Sequence, residues 1–221
     1  MMPLGATFRI VRGMELHPTG WRIHVMVIAV LQGSVRSERM GDRAAKWVLA
    51  QLKKRGYEAV LVDAAALKLP LLDKMWKEIK GDTSAANAEL HGKLAPLADL
   101  YARTDGFVIV SAEYNHSAPP ALTNLIDYFL EEYAFRPSAI VCYSAGGYGG
   151  VRAAMQLRAL LPEVGLPTIP SLQPIPMVGK ALSADGVALT QELAEKSGKF
   201  WDEFDWYVTT MKAGREKGVP C

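Results

Sequence analysis

Short apolar runs rich in β-branched residues recur along this 221-residue chain, each breaking off into a polar loop and then into an amphipathic stretch, and this alternation leaves little choice of fold. The clearest instance spans Gly106 to Tyr133. Gly106-Phe107-Val108-Ile109-Val110-Ser111 suits a central strand of a parallel sheet, apolar on both faces. It stops at Glu113-Tyr114-Asn115-His116-Ser117-Ala118-Pro119-Pro120, and the two prolines stiffen the way into a helix. Leu122, Leu125, Ile126, Phe129 and Tyr133 then follow at three- and four-residue steps, opposite Asn124, Asp127 and Glu131. Repeated units of this kind imply an α/β fold: a five-stranded parallel sheet with helices on both faces, joined by right-handed crossovers. In an open sheet of that type, ligands bind in the loops outside the carboxyl ends of the strands.

The other units follow in order. Ile23 to Leu31 reads as the first strand, and Met40, Ala44, Ala45, Val48 and Leu52 mark a helix face ending near Gly56. Tyr57 to Val62 is the second strand, closed by Asp63; Leu67 to Leu72 is a turn-rich connection. Met75, Trp76 and Ile79 suit a short helical turn, either in the core or as a flap over a site. Asn87 to Arg103 is a helix in which Pro96 marks a kink or a first turn. Ala139 to Tyr143 is the fourth strand, followed by Ser144 to Gly150 and a helix with Val151, Ala154, Met155 and Leu161 inward. Pro167 to Ile169 is a short fifth strand, the proline-rich piece to Pro176 is a connection, and Val187 to Met211 is a final helix with Leu189, Leu193, Phe200, Phe204 and Val208 inward. Residues 1–21 lack periodicity and read as a disordered extension, or as sequence ahead of a later start at Met14 or Met26. Residues 22–221 form one domain.

Composition narrows the function. Half the residues are hydrophobic, enough for a full core, and a net charge of +2 with scattered basic residues gives no footprint for nucleic acid. Two cysteines, Cys142 and Cys221, offer neither a disulfide framework nor a metal cluster. The apolar run from Val25 to Leu31 is too short to span a bilayer, and no signal-peptide core precedes it. A cytoplasmic protein with no membrane or nucleic-acid partner is expected.

Three loops carry the chemistry. The first joins Gly33 and Gly41 to the hydroxyls of Ser34 and Ser37 and the guanidinium groups of Arg36 and Arg39, beside a helix N-terminus. Backbone N–H groups, the positive end of the helix dipole and bidentate cations suit a phosphate monoester. The same residues also make an ordinary strand-to-helix turn, and the loop lacks both the Lys-Ser/Thr ending of a P-loop and the spaced glycines of a dinucleotide fold. The second loop offers the plane of Tyr114 and the amide of Asn115 to a flat heteroaromatic ring; His116 is a general acid or a structural hydrogen-bonder. The third, with glycines at 146, 147, 149 and 150, is either a flexible turn or a backbone surface for a ligand.

These loops resemble those of the NADPH-dependent FMN reductase family, which has the flavodoxin-like three-layer sandwich and includes flavin, quinone, chromate and azo-dye reductases. Gly33-Ser34-Val35-Arg36 resembles the family's phosphate loop. Glu113 to Ser117 with the following proline and Asn124-Leu125-Ile126-Asp127 resembles its most specific signature, and Ser144 to Gly150 with Arg152 resembles its flavin-ring loop. The resemblance implies FMN as cofactor and NADPH or NADH as hydride donor. The phosphate is expected against Ser34, Arg36, Arg39, Met40 and Gly41, and the ring between Glu113, Tyr114 and Asn115 on one side and Ser144, Gly146, Gly147, Tyr148 and Gly149 on the other. Backbone donors there would stabilise the charge that collects at the N1 and C2 carbonyl end of a reduced ring. The resemblance also implies a homodimer or homotetramer, with the helix after the second loop at an interface, and a small-molecule electron acceptor. No catalytic side chain is expected. Glu38 departs from what a phosphate wants nearby and is expected to point to solvent or to pair with Arg39.

Two rival functions remain in view. A non-enzymatic flavodoxin-type electron carrier, or a flavin-binding redox module, uses the same loops, but carriers tend to be strongly acidic and this chain is slightly basic. A hydrolase is suggested by Cys142-Tyr143-Ser144-Ala145-Gly146, one residue from a nucleophile elbow. That arrangement needs a histidine after the serine, and His17, His24, His91 and His116 all precede Ser144.

Overall fold

The computed structural model describes residues 9–11, 25–82 and 84–220. Six strands, β1 (Arg9–Val11), β2 (Val27–Gln32), β3 (Glu58–Asp63), β4 (Gly106–Ala112), β5 (Ser138–Tyr143) and β6 (Thr168–Ile175), form one sheet in the order β1-β3-β2-β4-β5-β6. From β3 to β6 every pairing is parallel, which gives the expected five-stranded core in the flavodoxin order. The sixth strand is a departure. β1 runs antiparallel along the β3 edge, with Arg9 opposite Leu61 and Val11 opposite Ala59, so residues 9–11 of the stretch read as a disordered extension are a strand. The rest of residues 1–21 lies outside the described residues.

The helices are α1 (Gly41–Lys54), α2 (Ala64–Leu67), α3 (Trp76–Ile79), α4 (Ala88–Arg103), α5 (Pro120–Asp127), α6 (Val151–Glu163), α7 (Val178–Ala181), α8 (Gln191–Glu195) and α9 (Gly198–Glu216). β2, β4 and β5 are buried along their whole length. Successive side chains point to opposite faces, so each of these strands feeds two cores. Leu31, Ile109 and Ile140 pack under α4, α5 and α6 with Tyr101, Leu122 and Leu157. Val30, Val108 and Val141 pack under α1 and α9 with Trp47, Trp201 and Phe204. β2 therefore feeds a helix on one face and its neighbour β4 a helix on the other. A crevice opens where their loops part, and this is the switch point of the sheet.

Four local expectations need correction. β6 is longer than expected and contains Pro170 and Pro174; as the edge strand it tolerates residues without an N–H, and the register shifts between Ser138 and Ile140. α5 stops at Asp127 and a short 3-10 turn at Glu131–Tyr133 follows, which carries Tyr133 edge-on to Phe107 at 5.3 Å. The last helical region divides into α8 and α9, leaving Val187 and Leu189 exposed. Met155 also faces outward, while α6 packs through Ala154, Leu157 and Leu161. Trp76 and Ile79 belong to the core, with the Trp76 ring tilted against those of His91 and Phe129, and α4 runs without interruption through Pro96. No helix among the described residues is long and apolar enough to cross a membrane.

Candidate functional site

The first loop leaves β2 with Gly33 N still donating to Val110 O at 3.2 Å, and it is pressed so closely against α5 that a Cβ at Gly33 would strike the Leu122 side chain. It ends at α1, whose N-terminus carries no side-chain cap. Arg43 N donates to Met40 O at 3.1 Å, which leaves the N–H groups of Gly41 and Asp42 for solvent or an anion. Gly41 has a packing role as well: the Tyr143 hydroxyl fills the place of its missing side chain. Met40 is half-exposed and lies over Gly179 of α7.

Arg39, expected against the phosphate, lines the cleft and is also held by groups of the protein itself. Its NH1 donates to Asp63 Oδ1 and to Ser34 O, each at 2.6 Å, its NH2 meets Asp63 Oδ2 at 2.5 Å, and its Nε meets Asp42 Oδ1 at 2.8 Å. The hydrogen bond to Asp63 raises its pKa above the usual arginine value, against the cost of burial. Three anionic or carbonyl acceptors therefore hold Arg39 as a brace between the first loop and the end of β3. Asp63 in turn caps α2 through Ala65 N at 2.9 Å. Arg36 and Glu38, by contrast, are exposed and have no ion-pair partner among the described residues.

In the second loop, Tyr114 and Ser117 exchange backbone hydrogen bonds at 2.9 Å each way, and Asn115 and His116 between them have φ of +50° and +67°. This is a tight hairpin turn with two left-handed residues, a conformation asparagine tolerates better than most. It leaves Asn115 exposed at the tip. The Tyr114 hydroxyl instead reaches the first loop, 2.7 Å from Ser34 Oγ, with Ser34 itself 2% exposed. Glu113 reaches the third loop. Its Oε2 accepts the Arg152 backbone N–H at 3.1 Å at the start of α6 and its Oε1 lies 3.3 Å from the Arg152 guanidinium.

The glycines of the third loop do two different jobs. Gly149 and Gly150 have φ of +65° and +82°, and a Cβ on either would meet Pro174 or the Tyr143 backbone at 2.8 Å. Gly146 and Gly147 face open space. Tyr148 is largely exposed with the Arg152 guanidinium 4.3 Å from its ring centroid, and Ser144 Oγ donates to Gly146 O at 2.9 Å. The β5 strand adds a residue that sequence reasoning missed. Tyr143 is 4% exposed with no partner for its hydroxyl, and burial pushes that hydroxyl's pKa up, so it stays a neutral donor. Its only signal in the sequence is its place at the last position of a central strand.

The loops meet in a cleft of about 280 Å³. Ser34, Arg36, Arg39 and Met40 line it from the first loop, Glu113 and Tyr114 from the second, and Ser144 from the third, with Glu38 and Tyr143 beside them. Gly41, Asn115, Gly146, Gly147, Tyr148 and Gly149 lie outside its lining. Two larger hollows lie elsewhere, one of about 330 Å³ between α2 and α5 and one of about 460 Å³ between the connection after α2 and the start of α4, and neither joins the three loops. The donor set of the cleft suits a phosphorylated flavin: an unpaired guanidinium at Arg36, an unpartnered hydroxyl at Tyr143 and, beside Met40, the uncapped start of α1.

Comparison with known proteins shows the family. The family model for NADPH-dependent FMN reductase matches residues 26–178. An NAD(P)H-dependent FMN reductase of Schizosaccharomyces pombe is 31% identical over 179 residues, covering 78% of this chain and 86% of its own. An NADPH azoreductase of a Bacillus strain is 30% identical over 146 residues, covering 66% and 74%. Among solved structures, the flavoenzyme NAD(P)H:(acceptor) oxidoreductase FerB of Paracoccus denitrificans superposes with a TM-score of 0.67 at 21% identity, over 85% of this chain and 99% of that one.

Proposed function

Because the chain belongs to the NADPH-dependent FMN reductase family, whose members use NAD(P)H and FMN, we propose that its three-loop cleft seats FMN and that the protein passes electrons to a small-molecule acceptor: a flavin, a quinone, an azo compound or a metal oxyanion. The observation that carries the reading is the convergence of loops from β2, β4 and β5 on one cleft at the uncapped start of α1. When bound, FMN supplies the redox chemistry, taking a hydride from the nicotinamide and giving electrons to the acceptor. The residues bind and orient. Arg36 and the α1 N–H groups face the phosphate, while Ser34 and Tyr114 hold two loops in register. Tyr143 and Ser144 offer hydroxyls, and the Gly146 and Gly147 backbone lies against the ring with Glu113 and Arg152 fixing its distance from the second loop.

Residues 22–221 act in this proposal as one flavin-binding domain, working in the cytoplasm as a homodimer or homotetramer. The α5 side suits the subunit contact: Asn124 takes a hydrogen bond from Leu72 N at 2.8 Å and donates to Pro70 O at 2.7 Å, which pins the connection so that Leu71 stands 84% exposed. Light scattering coupled to size exclusion tests the oligomer. The activity is tested by mixing purified protein with FMN and NADPH or NADH without oxygen and following the flavin absorbance near about 450 nm. Loss of that band, restored by a quinone, is expected; no loss with either nicotinamide overturns the proposal.

A further inference from the structure

The end of the cleft that faces the phosphate carries less positive charge than its two arginines suggest. Asp63, Asp42 and the Ser34 carbonyl take all but one of the N–H groups of Arg39, and the two carboxylates balance its charge before any ligand arrives. Arg36 is left as the one guanidinium of this loop without an ion-pair partner among the described residues, and Glu38 lines the same cleft, equally exposed and equally without a partner. Arg39, the neighbour that could have neutralised Glu38, is paired with Asp63 and Asp42 instead. Arg36 and Arg39 thus stand against Glu38, Asp42 and Asp63, two positive groups against three negative ones.

We infer that Glu38 is a specificity-determining residue: it sets a carboxylate against the flavin's phosphate, so that FMN is held as an exchangeable molecule and its phosphate adds little to binding over riboflavin. The inference rests on the proposed flavin cleft. A phosphate monoester brings nearly two negative charges. Glu38 repels them across the same solvated space from which Arg36 attracts them, and the two largely cancel. What remains is the partial positive charge of the α1 N-terminus, and the ring and its polyol chain, which riboflavin shares, supply the rest of the affinity.

Fluorescence quenching of FMN and of riboflavin by the full-length protein tests this, in the wild type, Glu38→Gln and Arg36→Ala, at low and at high salt. In the wild type the two flavins should bind within about tenfold of each other, and E38Q should tighten FMN by about tenfold at low salt while leaving riboflavin unchanged. High salt should erase the gain, because both groups are exposed. R36A should loosen FMN alone. Glu38 sits on an exposed loop and Gln matches its shape, so folding is spared, and Glu38→Ala repeats the test with a second side chain. An FMN affinity unmoved in both Glu38 variants, equal tightening of both flavins, or a wild type that prefers FMN several-hundredfold overturns the inference while leaving the flavin cleft intact. Failure of either flavin to bind any variant removes the cleft assignment and the inference together.

Discussion

Glu113 and Arg152, thirty-nine positions apart, are joined twice: one carboxylate oxygen accepts the Arg152 backbone N–H at 3.1 Å and the other lies 3.3 Å from its guanidinium. A single side chain thus caps α6 and ties the loop after β4 to the loop after β5. The carboxylate is 9% exposed and the guanidinium 37%, so part of the ion pair is screened by water while the cap is sheltered. Glu113→Ala should cost about 1–2 kcal/mol, the range for losing a helix cap, read as a shift in the urea midpoint. It should also weaken FMN binding, because the two walls of the cleft lose their common anchor. A midpoint that falls with flavin affinity unchanged would separate the clamp from the site.

Arg39 makes a sharper case. If it is a brace, as its contacts with Asp63 and Asp42 show, Arg39→Lys should not substitute, since an ammonium cannot form the paired bonds to Asp63 while also reaching Asp42 and Ser34 O. Loss of the guanidinium leaves Asp63, whose side chain is 16% exposed, without its cation, and about 1–3 kcal/mol of stability should go with it in both Arg39→Lys and Arg39→Ala. Thermal unfolding in the absence of flavin checks this, since a residue that served only to hold phosphate would leave the apoprotein's Tm where it was.

The legible part of this fold was the part written in local pattern. β2, β4 and β5 are apolar runs buried on both faces, and their positions follow from periodicity and from the polar residues that stop them. Where a tertiary circumstance overrides local preference, the sequence misleads. Pro170 and Pro174 argue against a strand until β6 is known to be an edge, and Val187 and Leu189 argue for a helix that the chain does not continue. In the site, the residue types of all three loops were readable but their division of labour was not. Whether an arginine meets a ligand or a carboxylate depends on Asp63, twenty-four positions away on another strand, and whether a glycine is needed for packing or for a ligand depends on what stands where its Cβ would be. Tyr143 escaped notice because a tyrosine within an apolar strand carries no mark of a missing hydrogen-bond partner.

Alkaline conditions should unfold the protein earlier than its net charge suggests. Burial pushes the Cys142 thiol up to about 12, and burial likewise raises Tyr57, Tyr101 and Tyr143. In the unfolded chain the thiol ionises near about pH 8.5 and the phenols near about pH 10. Between those values and the raised native ones, the native state binds more protons than the unfolded state, so stability falls as pH rises, with Cys142 the first of these groups to contribute, from about pH 8.5 upward. Urea midpoints measured from neutral pH to pH 10.5 should decline, and Cys142→Ala should flatten the first part of that decline while lowering the neutral-pH value through the cavity it leaves. The same burial predicts that Cys142 resists thiol reagents in the folded protein at pH 8 and reacts when urea is added.

The two kinds of glycine in the third loop give paired substitutions with opposite signatures. Gly150 has φ of +82° and no room, since a Cβ would sit 2.8 Å from both N and O of Tyr143. Gly150→Ala should therefore cost about 1–2 kcal/mol for the left-handed backbone alone and more for the displaced strand end, which lowers Tm whether or not flavin is present. Gly147 has a negative φ and nothing within reach of an added methyl, so Gly147→Ala should leave the apoprotein's Tm unchanged or slightly raised. If the flavin ring lies against this backbone, the same methyl pushes it away, and FMN and riboflavin affinity should fall together by about tenfold or more, on the order of 1.4 kcal/mol. A Gly147→Ala protein that binds both flavins as the wild type does would move the ring off this loop, whereas a Gly150→Ala protein of undiminished stability would contradict the packing around Tyr143.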